Sequence, residues 1–465
     1  MNMINVRRLT VMTFLGAGML SGISAQVSPL QVDTLKETKI PDQWDLQSCI
    51  DYAKEQNITI RKNRITAAST QIDVKTAKAA MFPSLSFSTG QQVVNRPYQE
   101  TSSRVSGSEI ISSNSKTSYN GNYGLNASWT LYNGNKRLKT IQQEKLNNQM
   151  AELDVATSEN NIQESIAQVY IQILYAAESV KVNENTLQVS IAQRDRGQEL
   201  LNAGSIAKSD LAQLEAQVST DRYQLVTAQA TLEDYKLQLK QLLELDGENE
   251  MNIYLPALSD ENVLAPLPTK RDVYISALSF RPEIEASKLN VEASELGINI
   301  AKSSYFPTIS LSAGIGTNHT SGSDFTFGEQ VKNGWNNSIG LSVSVPIFNN
   351  RQTKSAVQKA KLQYETSMLS LLDEQKALYK TIESLWLDAN SAQQRYAAAN
   401  EKLKSTQISY ELISEQFNLG MKNTVELLTE KNNLLQAQQE QLQAKYMAIL
   451  NTQLLKFYQG DQLAL

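Results

Sequence analysis

The chain writes one pattern twice, and any fold it adopts must serve both copies. Ala77-Lys78-Ala79-Ala80-Met81-Phe82-Pro83-Ser84-Leu85-Ser86 is answered by Ala301-Lys302-Ser303-Ser304-Tyr305-Phe306-Pro307-Thr308-Ile309-Ser310. Leu131-Tyr132-Asn133 is answered by Ile347-Phe348-Asn349, and Leu201-Asn202-Ala203-Gly204 by Phe417-Asn418-Leu419-Gly420. Each copy runs helix, strand pair, very long helix, glycine turn, second long helix. Such self-similarity predicts one body built from two like halves rather than unrelated domains.

The hydrophobic period changes inside each copy. Helical signal from Trp44 to about Met81 stops at Phe82-Pro83, because the residue before proline is pushed out of the helical region. Period-two alternation comes next. Leu85 and Phe87 alternate with serines, and Tyr123, Leu125, Ala127, Trp129 and Leu131 alternate with Gly124, Asn126, Ser128 and Thr130. The second copy offers Ile309, Leu311, Ala313 and Ile315, then Ile339, Leu341, Val343, Val345 and Ile347. These runs are about nine residues long, the length a tilted strand needs to cross a bilayer. Trp129 and Tyr123 suit interface levels. Residues 96–118 and 317–334 between the strands are rich in Ser, Gly, Asn and Thr and are expected to be long solvated loops.

Beyond the strands the chain turns helical for an unusual distance. Residues 137–201 predict a helix of roughly 97 Å. Gly204 breaks it, and the return carries a seven-residue repeat. Leu211, Val218, Leu225, Leu232 and Leu239 hold one seam position; Leu214, Asp221, Ala228, Tyr235 and Leu242 hold the other. In the second copy helix 350–416 turns at Gly420, and Leu428, Leu435, Leu442 and Ile449 repeat at spacing seven. Gln438 and Lys445 occupy its other seam, so something polar is expected to face that side.

These signals divide the chain. Residues 1–25 are expected to be a signal peptide, with Arg7 and Arg8, an apolar stretch Leu9 to Leu20 and small residues ending at Ala25. Residues 26–245 form the first repeat, with strand pair 84–131 and helical hairpin 137–245. Residues 246–270, containing Pro256, Pro266 and Pro268, form the linker. Residues 271–458 form the second repeat, with helix 281–304, strand pair 308–347 and hairpin 350–458, and 459–465 a short tail.

Composition removes other functions. The net charge is −5 over 465 residues, which leaves no basic footprint for nucleic acid. With one histidine, His319, one cysteine, Cys49, and no phosphate-cradling loop, the chain lacks the convergent groups most enzymes need. Neither a metal site nor a cofactor is expected, and Cys49 is expected to be a small apolar residue on a helix face. No segment of the mature chain has eighteen consecutive apolar residues, so contact with a membrane must come through strands. Four strands cannot close a barrel, and an open edge in lipid costs several kcal/mol per unpaired group. The chain is therefore expected to oligomerise.

The mature chain resembles the TolC family of outer-membrane efflux and secretion channels, from about residue 42 to 458. The residues that carry the resemblance are Trp44-Asp45-Leu46 with Cys49-Ile50-Asp51-Tyr52-Ala53, both Phe-Pro junctions, the alternating strands, and Phe417-Asn418-Leu419-Gly420 followed by Glu426-Leu427. The first copy answers with Leu201, Gly204, Asp210 and Leu211. The resemblance implies a mainly α chain with membrane β, an internally duplicated protomer of a homotrimer. Its twelve strands would close an outer-membrane barrel that continues as a periplasmic α-helical barrel. It implies outer-membrane lipid, a periplasmic adaptor and an inner-membrane pump of RND or ABC type as partners, and a passive exit duct for small molecules or polypeptides.

Carried over by position, Gly204 and Gly420 with Leu201 and Phe417 mark the periplasmic tips and the adaptor contact. A left-handed helix cap is a second reason for the two glycines, and both can hold together. Asp210, Lys422 and Glu426 fall where the family constricts its mouth, with a Lys422–Asp210 link as the expected latch. Two departures are visible: Phe417 stands where relatives often carry tyrosine, which weakens the latch, and Thr429 stands where a second acid is frequent, which weakens the negative ring that copies of Glu426 would form. The alternative reading is a periplasmic coiled-coil adaptor or scaffold, which would carry one hairpin in soluble β-domains rather than two joined to membrane-type strands.

Overall fold

A computed structural model describes residues 41–98, 116–246, 251–256, 263–321 and 325–463, and the backbone of 102–106 and 109–113. The signal peptide expected at 1–25 lies outside the described residues, as do the lead-in up to residue 40 and parts of both inter-strand segments. All of the described helices and strands belong to one body, Gln43–Leu465.

In chain order the elements are α1 (Leu46–Gln56), α2 (Ile58–Ala79), β1 (Ser84–Asn95), β2 (Ser102–Ser106), β3 (Glu109–Ser113), β4 (Thr117–Asn133), α3 (Lys136–Asn202) and α4 (Lys208–Leu242). The second half supplies α5 (Lys270–Phe280), α6 (Pro282–Ser303), β5 (Thr308–Thr320), α7 (Phe327–Asn333), β6 (Asn336–Ser344), α8 (Gln352–Asn418) and α9 (Thr424–Gln459). The duplication reaches into detail. α2 and α6 have 22 residues each, and α3 and α8 have 67 each. Both long helices start after two consecutive left-handed residues, Gly134 and Asn135 in one copy, Asn350 and Arg351 in the other.

The lead helix expected over 44–81 is two helices. Asn57 leaves the helical region at ψ 126°, and its Oδ1 accepts from Thr59 N at 2.9 Å, capping α2. Its Nδ2 donates to the Leu242 carbonyl at 3.0 Å, tying the break to the end of α4. Arg281 makes the matching break between α5 and α6, with Pro282 at the first helical position, where a missing N–H costs nothing.

The strands form one antiparallel sheet in the order β1-β4-β5-β6, so β1 and β6 have open edges. Its register sorts the two faces. On one, Leu85, Ala127, Ala313 and Ile339 align across all four strands, and Phe87, Leu125 and Ile315 make the next rung. On the other, Ser84, Ser128, Ser312 and Gly340 align, then Ser86, Asn126, Gly314 and Ser338. Trp129 donates its indole N–H to the Met81 carbonyl at 2.8 Å, pinning the crossing at Phe82-Pro83. The return strand of the second copy ends at Ser344 rather than running to Ile347, because Pro346 has no N–H to give the ladder. The inter-strand segments are not bare loops. The first contains the β2–β3 hairpin, and the second contains α7, started by Thr326, whose side chain accepts from Glu329 N.

The long helices are paired along only half their length by their return helices, which have 35 and 36 residues. The free hairpins are thus about 50 Å deep, not ~100 Å. Nearer the sheet, α2 and α6 pack on α3, and α6 packs on α8. The core sits where these arrangements meet. Trp44, Cys49 and Ile50 meet Tyr170, Ile173, Leu174, Leu239, Val273, Ile382 and Leu455 in one buried cluster. Each such large apolar side chain contributes about 1.5–3 kcal/mol on burial. Cys49 is fully buried, and desolvation pushes its thiol up to about 12. Arg281 is buried beside this core, donating to Glu164 at 3.1 Å and Glu283 at 2.8 Å, with its guanidinium 3.9 Å from the Tyr458 ring. Among the described residues no helix is long and apolar enough to cross a membrane.

Candidate functional site

Both hairpin tips are built alike. At Gly204 the backbone adopts φ +76°, and at Gly420 φ +73°. The Gly204 N–H bonds the Leu201 carbonyl at 2.9 Å and the Ser205 N–H the Leu200 carbonyl at 2.8 Å. Gly420 N and Met421 N bond Phe417 O and Gln416 O, each at 2.9 Å. These bonds satisfy carbonyls that the ends of α3 and α8 would otherwise leave orphaned. A Cβ on either glycine would meet nothing within 4 Å, so within one chain backbone conformation alone demands glycine there. Phe417 is buried under the second tip, whereas Leu419, Met421 and Val425 around it are exposed.

The acids after the glycines open the return helices. Asp210 Oδ2 accepts from Ala207 N at 3.0 Å. Glu426 Oε2 accepts from Asn423 N at 3.2 Å while Asn423 Oδ1 accepts from Glu426 N at 2.9 Å, a reciprocal cap. Lys422 Nζ donates to Glu426 Oε1 at 2.5 Å, four residues along the same helix start. Lys422 and the Asn423 N–H together hold the Glu426 carboxyl below the usual glutamate range. The expected Lys422–Asp210 link is therefore not the pairing found inside one chain: the nearer Glu426 takes the ammonium and Asp210 is engaged by Ala207.

Sequence reasoning did not find the polar joint between the two hairpins. Ser190 on α3, Asp221 on α4 and Lys431 on α9 converge, with Lys431 Nζ donating to both Asp221 Oδ2 and Ser190 Oγ, and Ser190 Oγ donating to Asp221 Oδ2. All three are buried. Gln217 Nε2 donates to Asp221 Oδ1 at 2.9 Å and to Asn432 Oδ1 at 3.3 Å, extending the joint outward. Burial pushes the Lys431 ammonium below the usual lysine value, and Asp221 pulls it back up. Two signals were present in the sequence. Asp221 occupies an apolar seam position, and Lys431 lies seven residues before Gln438 on the polar seam of the last helix. Further contacts stitch the hairpins together: Gln193 Nε2 to Tyr410 Oη at 2.8 Å and Ser179 Oγ to Gln439 Oε1 at 3.1 Å.

The first tip is also drawn tight. Gly197 on α3 is buried, and a Cβ there would stand 2.4 Å from Leu214 Cδ1, so the missing side chain lets α3 and α4 close. His319 lies far from either tip, on the apolar face of β5, with its ring 6.1 Å from Tyr123 and 5.1 Å from Phe327. Among the described residues no group of three or more His, Cys, Asp or Glu is placed to hold a metal ion.

Known proteins resemble this chain in sequence and in fold. The family model described as outer membrane efflux protein matches residues 49–244 and 273–460. Outer membrane efflux protein BepC of Brucella suis biovar 1 (strain 1330) is 24% identical over 294 residues, covering 63% of this chain and 61% of that protein. Outer membrane protein TolC of Escherichia coli (strain K12) is 24% identical over 294 residues, covering 61% of this chain and 58% of that protein. The matched stretches thus span about three-fifths of these relatives. Among solved structures, CusC superposes with a TM-score of 0.75 at 19% identity, covering 90% of this chain and 92% of that one. The shared fold is an antiparallel sheet continued by long helical hairpins.

Proposed function

The chain belongs to the outer membrane efflux protein family, and we propose that it is the outer-membrane channel subunit of a tripartite efflux pump or type I secretion system. The observation that carries this reading is the four-stranded sheet, apolar on one face and Ser-, Gly- and Asn-lined on the other, with both edges open. One copy cannot satisfy its edges in lipid. Three copies supply twelve strands, an even number within the range of closed membrane barrels. The helical hairpins then extend the passage into the periplasm.

In this role the protein does no chemistry. Energy comes from an inner-membrane pump of RND or ABC type, and a periplasmic adaptor links the pump to the tips. The exposed Leu419 and Met421 beside Gly420 support an adaptor contact at the second tip, with Gly204 and Leu201 offering the matching turn on the first. Asp210 and Glu426 stand in the first turns of the return helices, where carboxylates also favour the helix N-terminus, and Lys422 stands just before the second of these helices. We assign them to the constriction of the periplasmic mouth.

Fractionation with mass measurement tests the proposal. The protein should be recovered from detergent-extracted outer membrane as a complex of three copies. Recovery as a soluble periplasmic monomer would overturn it.

A further inference from the structure

We infer that the four-stranded wall of β1, β4, β5 and β6 is a charge-indifferent exit sleeve, which passes hydrated solutes of either sign equally and leaves charge selection to other parts of the channel. The inference rests on the channel reading and adds where selectivity does not reside. It starts from the strands themselves: β1, β4, β5 and β6 together contain no Asp, Glu, Lys or Arg. Their single imidazole, His319, pairs with Gly121 in the register that places Leu125 and Ile315 on the apolar face, so it belongs to the lipid side.

The other face is uniform in kind. The rung Ser84, Ser128, Ser312 and Gly340 is followed by rungs of Ser, Asn and Gly, and Thr130, Ser310 and Ser342 continue it toward the helices. A barrel interior in contact with water takes this polar face, and the apolar face takes lipid. Serine hydroxyls and asparagine amides each offer a donor and an acceptor, so they solvate cations and anions alike. Several are already occupied along the wall: Ser84 Oγ and Ser128 Oγ lie 2.8 Å apart, and Ser312 Oγ donates to the Gly340 carbonyl at 3.3 Å. Glycine and serine are also the smallest side chains available, which leaves the bore wide. Fixed charge rings are the usual source of selectivity in such pores, and the described wall has none. The carboxylates at Asp210 and Glu426 belong to the opposite end of the chain's long axis of helices.

Substituted-cysteine labelling on intact cells tests this, and the buried Cys49 keeps the background silent. Ser312→Cys on the polar face and Ile339→Cys on the apolar face are treated with a cationic and an anionic methanethiosulfonate, each rate divided by that of the same reagent with free cysteine. A local potential of one kT would give a cation-to-anion ratio of about sevenfold, and charged clefts reach several kT. The inference requires a normalised ratio at Ser312→Cys within about fivefold of unity; a larger preference of either sign overturns it. Adding Ser128→Asp, on the same rung, should push the ratio toward the cation and shows that the assay reads the wall. If Ile339→Cys labels and Ser312→Cys does not, the assignment of faces fails, and the channel reading fails with it.

Discussion

Lys431 on α9 donates to Asp221 on α4 across the seam between the two hairpins, with side-chain exposures of 3% and 2%. The two residues come from different copies of the repeat, so the joint fastens the halves of the chain to each other. It lies up the seam from the tip, whereas the Lys422–Glu426 pair at the tip is part-exposed. Exposed pairs of that kind contribute only about 0–1 kcal/mol. Removing one member of a buried pair costs far more, because the other charge is stranded.

Lys431→Met should therefore lower stability by about 3–5 kcal/mol, read from the denaturant midpoint of the detergent-solubilised protein. The double variant Asp221→Leu/Lys431→Met should recover most of that loss, since a well-packed apolar pair replaces a desolvated ionic one. If the double variant is as unstable as the sum of the two single ones, the pair is not a coupled joint.

The glycine at the first tip predicts a change of sign. Alanine in a helix interior is favoured over glycine by about 1 kcal/mol, but at Gly197 its Cβ collides with Leu214. Gly197→Ala should be neutral or destabilising in the natural background. In a Leu214→Ala background it should stabilise by about 1 kcal/mol. A double-mutant cycle on thermal unfolding measures the difference.

The tip turns answer to backbone conformation. Gly420→Ala and Gly204→Ala each force an ordinary residue into the left-handed region, at about 1–2 kcal/mol. Open space around both positions means Asn, which tolerates that region, should recover much of the loss. Amide protection at Met421, bonded to Gln416, reports the turn directly.

Acid should fray the start of α9. The folded Glu426 carboxyl titrates below the usual value of 4.5, held down first by Lys422 and then by the Asn423 N–H. A depressed carboxyl contributes stability that is present above its unfolded value and lost as pH falls through the folded one. Protection of the Asn423 amide, corrected for intrinsic exchange, should be constant above about pH 4.5 and fall below it. Glu426→Gln should flatten that step.

Much of this molecule was legible in the chain. Phe82-Pro83 and Phe306-Pro307 mark the helix-to-strand crossings, and the alternation from Ser84 to Phe87 and from Thr308 to Ile315 sorted the sheet's faces before its register was known. Gly204 and Gly420 located the tips. Less legible were features decided by distant partners. Asn57 breaks a helix because it caps α2 while reaching the Leu242 carbonyl, and nothing in its neighbours announces that. The heptads marked a seam over the return helices but not that α2 and α6 take over the upper part of α3. Asp221 sits among the apolar residues of its heptad seam and Lys431 lies seven residues before Gln438, but neither spacing names the other as its partner. Only the fold shows that each is the other's partner, since no local period relates residues so far apart.

Conductance tests the central claim most directly. Purified protein added to one side of a planar lipid bilayer should insert and give discrete, ohmic current steps. A preparation that enters the bilayer as folded complexes and carries no current would contradict the account.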